Sequence, residues 1–297
     1  VSFSCFSLLQ ADSAPTEAQN GETKKSIIFP LGGEVFVAFD GFRSLPDGSW
    51  GGNLGAYFGM NLSAAIPKTS ESVGIQGGWS YGVYDWDGRG STDSKAVQQQ
   101  GFVTTGFFYR TPHLSGVNGG VVYDWSFNRK AGVFGLSPTM QQVRAQLGYI
   151  YKKKNEFGLW GSYGTTTARN SFYGMGVEFR AISQVNAFWR HIFNNNGEIM
   201  LWGGTPYRKG LMFESGRPGA YILGAAFQAP LTRSLSLQGD GMYMGSRSGS
   251  AFSESKNYAA NVCIALTYSF GSKSPGCRPY LPLANNGNFI ADTNLSY

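Results

Sequence analysis

Only two histidines occur in the 297 residues, so acid–base chemistry would have to be built around His113 or His191. His113 stands two residues before Ser115, a spacing at which an imidazole can take the proton of a nucleophilic hydroxyl, with Asn118 near enough to orient the ring. The pair follows Pro112, and an ordinary solvated turn is the plainer account of it. His191, in Trp189-Arg190-His191, falls within a strand pattern and suits an interfacial aromatic belt or a local hydrogen bond. Asp85, Asp87 and Asp93 surround Gly88 and Gly90 as in a calcium loop, but Arg89 breaks the ligand spacing, so a glycine-rich loop with ordinary charges is expected. With no cysteines or carboxylates clustered about either histidine, neither a metal nor a cofactor is expected.

These residues must be positioned by strands, because large apolar and small or polar residues alternate with period two in twelve segments. The alternation predicts strands over 34–43, 53–65, 73–86, 99–110, 119–127, 141–151, 156–165, 172–182, 184–202, 219–229, 234–245 and 258–270. Within 142–151, Val143, Ala145, Leu147, Tyr149 and Tyr151 share one face while Gln142, Arg144, Gln146 and Gly148 share the other. Leu54, Ala56, Phe58, Met60 and Leu62 form a second apolar face, Tyr173, Met175, Val177 and Phe179 a third, and none carries a charge. The opposite faces hold Glu34, Asp40, Arg110, Asp124, Arg144, Glu178, Arg180, Arg190 and Asp240. An apolar outside and a polar inside describe an all-β, antiparallel, up-and-down transmembrane β-barrel, with these nine residues lining its lumen.

Composition agrees: glycine is abundant at 42 residues, aromatics reach 15%, and charged residues are few at 14%. Short connections alternate with long ones, as periplasmic turns alternate with outer loops in bacterial barrels. Asn194-Asn-Asn-Gly197 would ordinarily signal a hairpin, but a thirteenth strand would put later loops on the wrong side, so 184–202 is read as one interrupted strand. The net charge of +6 is scattered, and its longest basic run, Lys152 to Lys154, falls in a turn, so nucleic acid is not an expected partner. Mixed signs at similar depth favour a salt-bridged lumen over a selectivity ring, and the small excess of arginine would tilt any pathway slightly towards anions.

Outside the barrel, residues 1–11 read as the remnant of a secretory signal, 12–31 as a flexible lead, 32–271 as the barrel and 272–297 as a proline-containing tail. The tail is expected neither to form a central strand nor to float free, since Pro275, Pro279 and Pro282 stiffen it and Phe289-Ile290 offers an apolar anchor. Cys263 faces inward on the last strand and Cys277 follows in the tail; seven extended residues reach roughly 23 Å. A disulfide between them is within reach, although an unpaired Cys277 is the simpler expectation.

The glycine-aromatic strands together with Arg278-Pro-Tyr-Leu-Pro-Leu-Ala-Asn-Asn-Gly287 resemble a family of uncharacterised bacterial proteins with outer-membrane β-barrel features. The resemblance covers most of the chain from about Gly32, implies the barrel fold and assigns no functional residues. His113-Leu-Ser115 also resembles the His-x-Ser pair of outer-membrane phospholipases and lipid A deacylases, although Gly116 stands where those enzymes place Asn. The leading expectation is a non-enzymatic protein of the bacterial outer membrane, either a narrow pore for small solutes or a structural barrel. Its partners would be outer-membrane lipids and the barrel assembly machinery. The alternatives are a lipid hydrolase using His113 and Ser115, or a soluble secreted barrel that binds ligands.

Overall fold

Twelve strands close into one antiparallel barrel in the computed structural model of the protein, which describes residues 31–47, 52–67, 69, 72–85, 97–111, 115–212, 216–246, 258–271, 283 and 289–294. Strands β1 (Leu31–Arg43), β2 (Asn53–Ala65), β3 (Val73–Tyr84), β4 (Gln98–Tyr109), β5 (Gly116–Arg129), β6 (Thr139–Tyr151) and β7 (Asn155–Gly164) pair successively in chain order. The chain then leaves the wall as β8 (Thr167–Phe172) and β9 (Met175–Ala181) and returns as β10 (Gln184–Ile192), which pairs with β7. β11 (Glu198–Pro206), β12 (Ile222–Pro230), β13 (Leu235–Met244) and β14 (Ala259–Phe270) complete the wall. β14 closes on β1 from Gly33↔Phe270 to Arg43↔Ala260, which removes the unpaired edges an open sheet would carry. A last strand, β15 (Ala291–Thr293), pairs with β9 to make a separate sheet of order β15-β9-β8.

The period-two pattern becomes two surfaces. Outward, Phe39 and Leu54 are 70% and 71% exposed, and the apolar covering continues through Val37, Phe58, Leu147, Val262 and Ile264. Aromatic side chains gather towards the strand ends: Phe127, Tyr163, Tyr221 and Tyr243 at the end carrying the long loops, and Tyr109, Tyr149, Phe157 and Tyr268 at the short-turn end. A continuous exposed apolar belt between aromatic bands is the surface of a barrel made for lipid. Inward positions are polar and buried, among them Asn118, Asp124, Gln142, Gln184 and Asn186.

The strand count is as predicted, but its membership is corrected in two places. Residues 184–202 do not form one strand: β10 and β11 are a hairpin around Asn194–Gly197. Asn196 adopts a left-handed φ of 62°, Phe193 donates to the Gly197 carbonyl at 2.8 Å, and the Asn195 side chain accepts the Gly197 N–H at 3.0 Å. Asparagine tolerates that conformation better than most residues, so the local turn signal was sound. The strand that does not belong to the wall is 172–182. β8 and β9 sit in the connection between β7 and β10, and Val177 and Phe179, expected on the lipid face, are fully buried against Phe134 and Met140.

The small sheet caps the long-loop end. Phe289 and Ala291 join the Phe134, Met140, Val177 and Phe179 cluster, while Ile290 packs into a second cluster with Trp160, Phe188, Trp202 and Met242. Neighbouring residues of an extended chain point to opposite faces, so Phe289, Ile290 and Ala291, leading into β15, are gripped from both sides. β14 ends at the short-turn end, yet β15 lies at the other. Between them, the Leu283 carbonyl accepts a hydrogen bond at 2.9 Å from Arg144, whose side chain points into the lumen. Leu283, Phe289 and Ile290 of the tail thus lie against side chains that point into the barrel.

Candidate functional site

The lumen holds two differently built walls. On β5, β6, β7 and β10, acids meet arginines. Arg144 grips Asp124 through Nε and Nη2 at 2.5 and 2.9 Å, and Thr104 and Gln142 donate to the same carboxylate at 2.7 and 3.0 Å. Arg190 donates to Glu156 at 3.1 Å, with Gln146 on the other carboxylate oxygen at 3.4 Å. Alternation places all these groups inward, and antiparallel register sets Asp124 opposite Gln142 and Arg190 opposite Glu156. The bidentate geometry offsets part of the desolvation of both ions. Above this wall, Trp160 and Trp202 meet edge to face with centroids 6.3 Å apart. Gly224 leaves room for that stack, since a Cβ there would run into the Trp202 ring.

On β1, β2, β3, β13 and β14, the described hydrogen-bond donors to Glu34 and Asp40 are neutral. Asn61 donates to Glu34 at 2.8 Å and Gln238 at 3.4 Å. The Tyr84 hydroxyl donates to Asp40 at 3.1 Å and the Asn261 amide at 2.8 Å. Asp40, Cys263 and Asp240 stand in register across β1, β14 and β13, and the Cys263 sulfur lies 3.0 Å from the Tyr57 hydroxyl. Beside this wall opens a chamber with a cavity of about 130 Å³. Its described lining includes the carboxylates of Glu34, Asp40, Glu198 and Asp240, the rings of Phe36, Phe42 and Phe102, and Phe289 and Ile290 of the tail. The one described cationic side chain in that lining, Arg43, sits at the long-loop rim, donating to the Tyr258 hydroxyl at 2.6 Å and stacking on its ring.

Of the nine residues read from sequence as lumen-lining, Glu34, Asp40, Asp124, Arg144, Arg190 and Asp240 occupy inward positions of wall strands. Arg110 lies just beyond β4 at the short-turn rim, where its N–H donates to the Ser72 carbonyl at 2.6 Å. Glu178 and Arg180 are corrections: both lie on β9 in the cap, outside the barrel wall. Glu178 pairs with the exposed Arg169 at 3.0 Å, and Arg180 donates to the Lys209 carbonyl at 2.5 Å and faces Asp292 at 3.9 Å. Burial and the neighbouring Arg208 lower the Arg180 pKa from its usual value. Among the described residues, Arg144 and Arg190 are thus held in ion pairs and Arg180 in the cap. Sequence reasoning missed Glu156 and Glu198, although Glu156 shares its parity with the buried Trp160 and Ser162.

The other candidates dissolve or fall outside the described residues. His113, Cys277, Asp87 and Asp93 lie outside them. Ser115 is exposed at the short-turn end, where its carbonyl accepts from Thr111 at 3.1 Å. His191 takes the place read for it, 2.9 Å from Asn155 and between Trp189 and Phe193 at the end of β10. Cys263 is buried. Asp85 accepts the Leu54 N–H at 3.3 Å, and among the described residues no group of three His, Cys, Asp or Glu could hold a metal ion.

A closed twelve-strand barrel with an apolar belt, aromatic bands and a polar interior is the architecture of outer-membrane β-barrel proteins. Within that class, the chain belongs to a family of unknown function, DUF6666, whose profile matches residues 33–291. An outer membrane channel from Pseudomonas putida F1 shares the fold with a TM-score of 0.52 at 9% identity, over 86% of this chain and 100% of that one. Outer membrane phospholipase A from Escherichia coli aligns at a TM-score of 0.42 and 8% identity, over 79% of this chain and 95% of that one. Among curated sequences, a probable nucleoside diphosphate kinase of Dictyostelium discoideum is 44% identical over 46 residues, 15% of this chain. The chain spans 29% of that relative's length.

Proposed function

We propose that the protein is a channel of the bacterial outer membrane for small solutes, held shut by its own C-terminal tail. The long loops face outward and the short turns face the periplasm, as in other barrels of this architecture. Outer-membrane lipids cover the apolar belt, and the barrel assembly machinery inserts the chain. The observation that carries the reading is the chamber: a cavity of about 130 Å³, lined by polar groups and aromatic rings, lies beside a tail strand that is not part of the wall. A purely structural barrel would fill its lumen from its own strands. The fold likeness to an outer membrane channel supports the same reading.

The tail's grip at the cap is short. β15 pairs with β9 over three residues, Ala291↔Ala181 to Thr293↔Phe179, and the Ile182 N–H adds a bond to the Ile290 carbonyl at 2.9 Å. Ile290, 1% exposed, supplies the apolar anchor. Replacing it by aspartate in the full chain puts an unpaired charge into that cluster at a cost of several kcal/mol, while the twelve-strand ladder is untouched. In planar bilayers, the wild type should conduct rarely and Ile290→Asp should show frequent stable openings. Silent bilayers for both proteins, each folded by its heat-modifiable gel mobility, would sink the channel.

A further inference from the structure

The outer surface of the barrel carries a pair of arginines that the lumen does not explain, and we propose that Arg208 and Arg217 bind the phosphates of a glycolipid in the outer leaflet of the membrane. The inference deepens the proposed function: it rests on the long loops facing outward, and not on conduction.

Three observations converge. Period two turns Leu159 and Tyr163 of β7, Val185 of β10, and Leu201 and Thr205 of β11 outward, so an apolar face rises towards the long-loop end. At its upper edge, that same wall holds two guanidinium groups. The Arg208 guanidinium lies over the Tyr163 ring, 4.9 Å from its centroid, and Nη1 donates to the Gly164 carbonyl at 2.7 Å. Arg217 is exposed, and its Nη1 donates to the Thr205 hydroxyl at 3.4 Å. Only β10 separates the strands of Tyr163 and Thr205, which therefore run roughly 10 Å apart. A disaccharide with a phosphate at each end spans such a gap, with its acyl chains along Leu159, Val185 and Leu201. The third observation is the charge: among the described residues no carboxylate pairs with either guanidinium, and Lys209 beside Arg208 is exposed. Arg208 also crowds Arg180 of the cap, which faces Asp292 at 3.9 Å. An anion relieves that repulsion, and a phosphate can accept two N–H bonds from one guanidinium. At the level of an aromatic band, the groups that meet a barrel from outside are lipid headgroups, which makes the phosphate a lipid's.

The test is native mass spectrometry of the full-length protein in detergent, incubated with lipid A carrying two phosphates, the same lipid carrying one, and phosphatidylethanolamine. The two-phosphate lipid is expected to bind best. Arg208→Gln together with Arg217→Gln should weaken it by about tenfold or more, with the heat-modifiable gel mobility of the folded barrel retained. Lys152→Gln together with Lys153→Gln, in the β6–β7 turn at the opposite end, should leave it unchanged. A lysine variant weakened as much as the arginine variant overturns the site, since any positive charge would then serve. Should the arginine variant fail to fold, the wild type still decides: binding of the one-phosphate lipid or phosphatidylethanolamine as tight as that of the two-phosphate lipid overturns the site. Preference for the two-phosphate lipid with silent bilayers for Ile290→Asp keeps the site and removes the channel. Openings by Ile290→Asp without that preference do the reverse.

Discussion

The two walls of the lumen use the same acids to opposite ends. On one side, Asp124 and Glu156 are matched by Arg144 and Arg190, so the wall is close to neutral and holds itself together. On the other, the described donors to Glu34 and Asp40 are amides and a phenol, and the wall borders the chamber. A wall of ion pairs can be read as structure, and a wall of neutral hydrogen bonds beside a cavity as the side that leaves space in the lumen. The tail sharpens the division, because its Leu283 carbonyl is bonded to Arg144 on the paired side while Phe289 and Ile290 border the chamber.

The largest effect should come from breaking a pair. Arg144→Met leaves Asp124, which is wholly buried, without its cation and should cost about 3–5 kcal/mol. Urea titration of the folded, heat-modifiable form would read this as a lower midpoint. Adding Asp124→Leu should restore much of the loss, since removing both ions also removes their desolvation. A single variant as stable as the wild type would show that the paired wall is not what holds this side together.

The matching change on the acidic wall should be milder. Asp40→Asn keeps a side-chain oxygen for Tyr84 or Asn261 and should cost about 1–2 kcal/mol in the same titration. A loss as large as that of Arg144→Met would erase the distinction between the walls.

That distinction was only half legible in the sequence. Period two told which side chains share a face, and on β2 and β6 it placed the named residues correctly, because side-chain direction in a strand is local. It could not tell what covers the apolar face. Val177 and Phe179 alternate as Phe58 and Met60 do, yet they are covered by Phe134 and Met140 instead of being left exposed as Phe58 and Met60 are. The same limit hid the chemistry of the lumen: Arg144 and Arg180 look alike in sequence, and only the closed topology sends one to Asp124 and the other to the cap. Glu198 went unnoticed because Asn194–Gly197 was read through rather than as a turn. β15 is three residues long, too short for any periodic signal.

The smallest expected effect concerns the cap, which holds the tail against both walls, and it has a definite sign in pH. Burial pushes the Asp292 carboxyl from 3.8 up to about 6, against the N–H of Leu211, Arg180 and the N–H of Thr293, which all favour its charge. Arg180 faces it at 3.9 Å, with Arg208 close to Arg180 in turn. Asp47, in the 3-10 turn Leu45–Asp47 that packs beside β15, is likewise raised by burial to about 6. Both acids are more readily protonated in the docked cap than in a released tail. Docking is therefore strongest below pH 3.8 and weakens as pH rises towards about 6. Openings of the wild-type channel should become more frequent over that interval, and Asp292→Asn should flatten the trend, leaving the part due to Asp47. Openings that become rarer as pH rises would mean that the Arg180–Asp292 attraction outweighs the burial of the carboxyl, and that the cap is held by charge as the paired wall is.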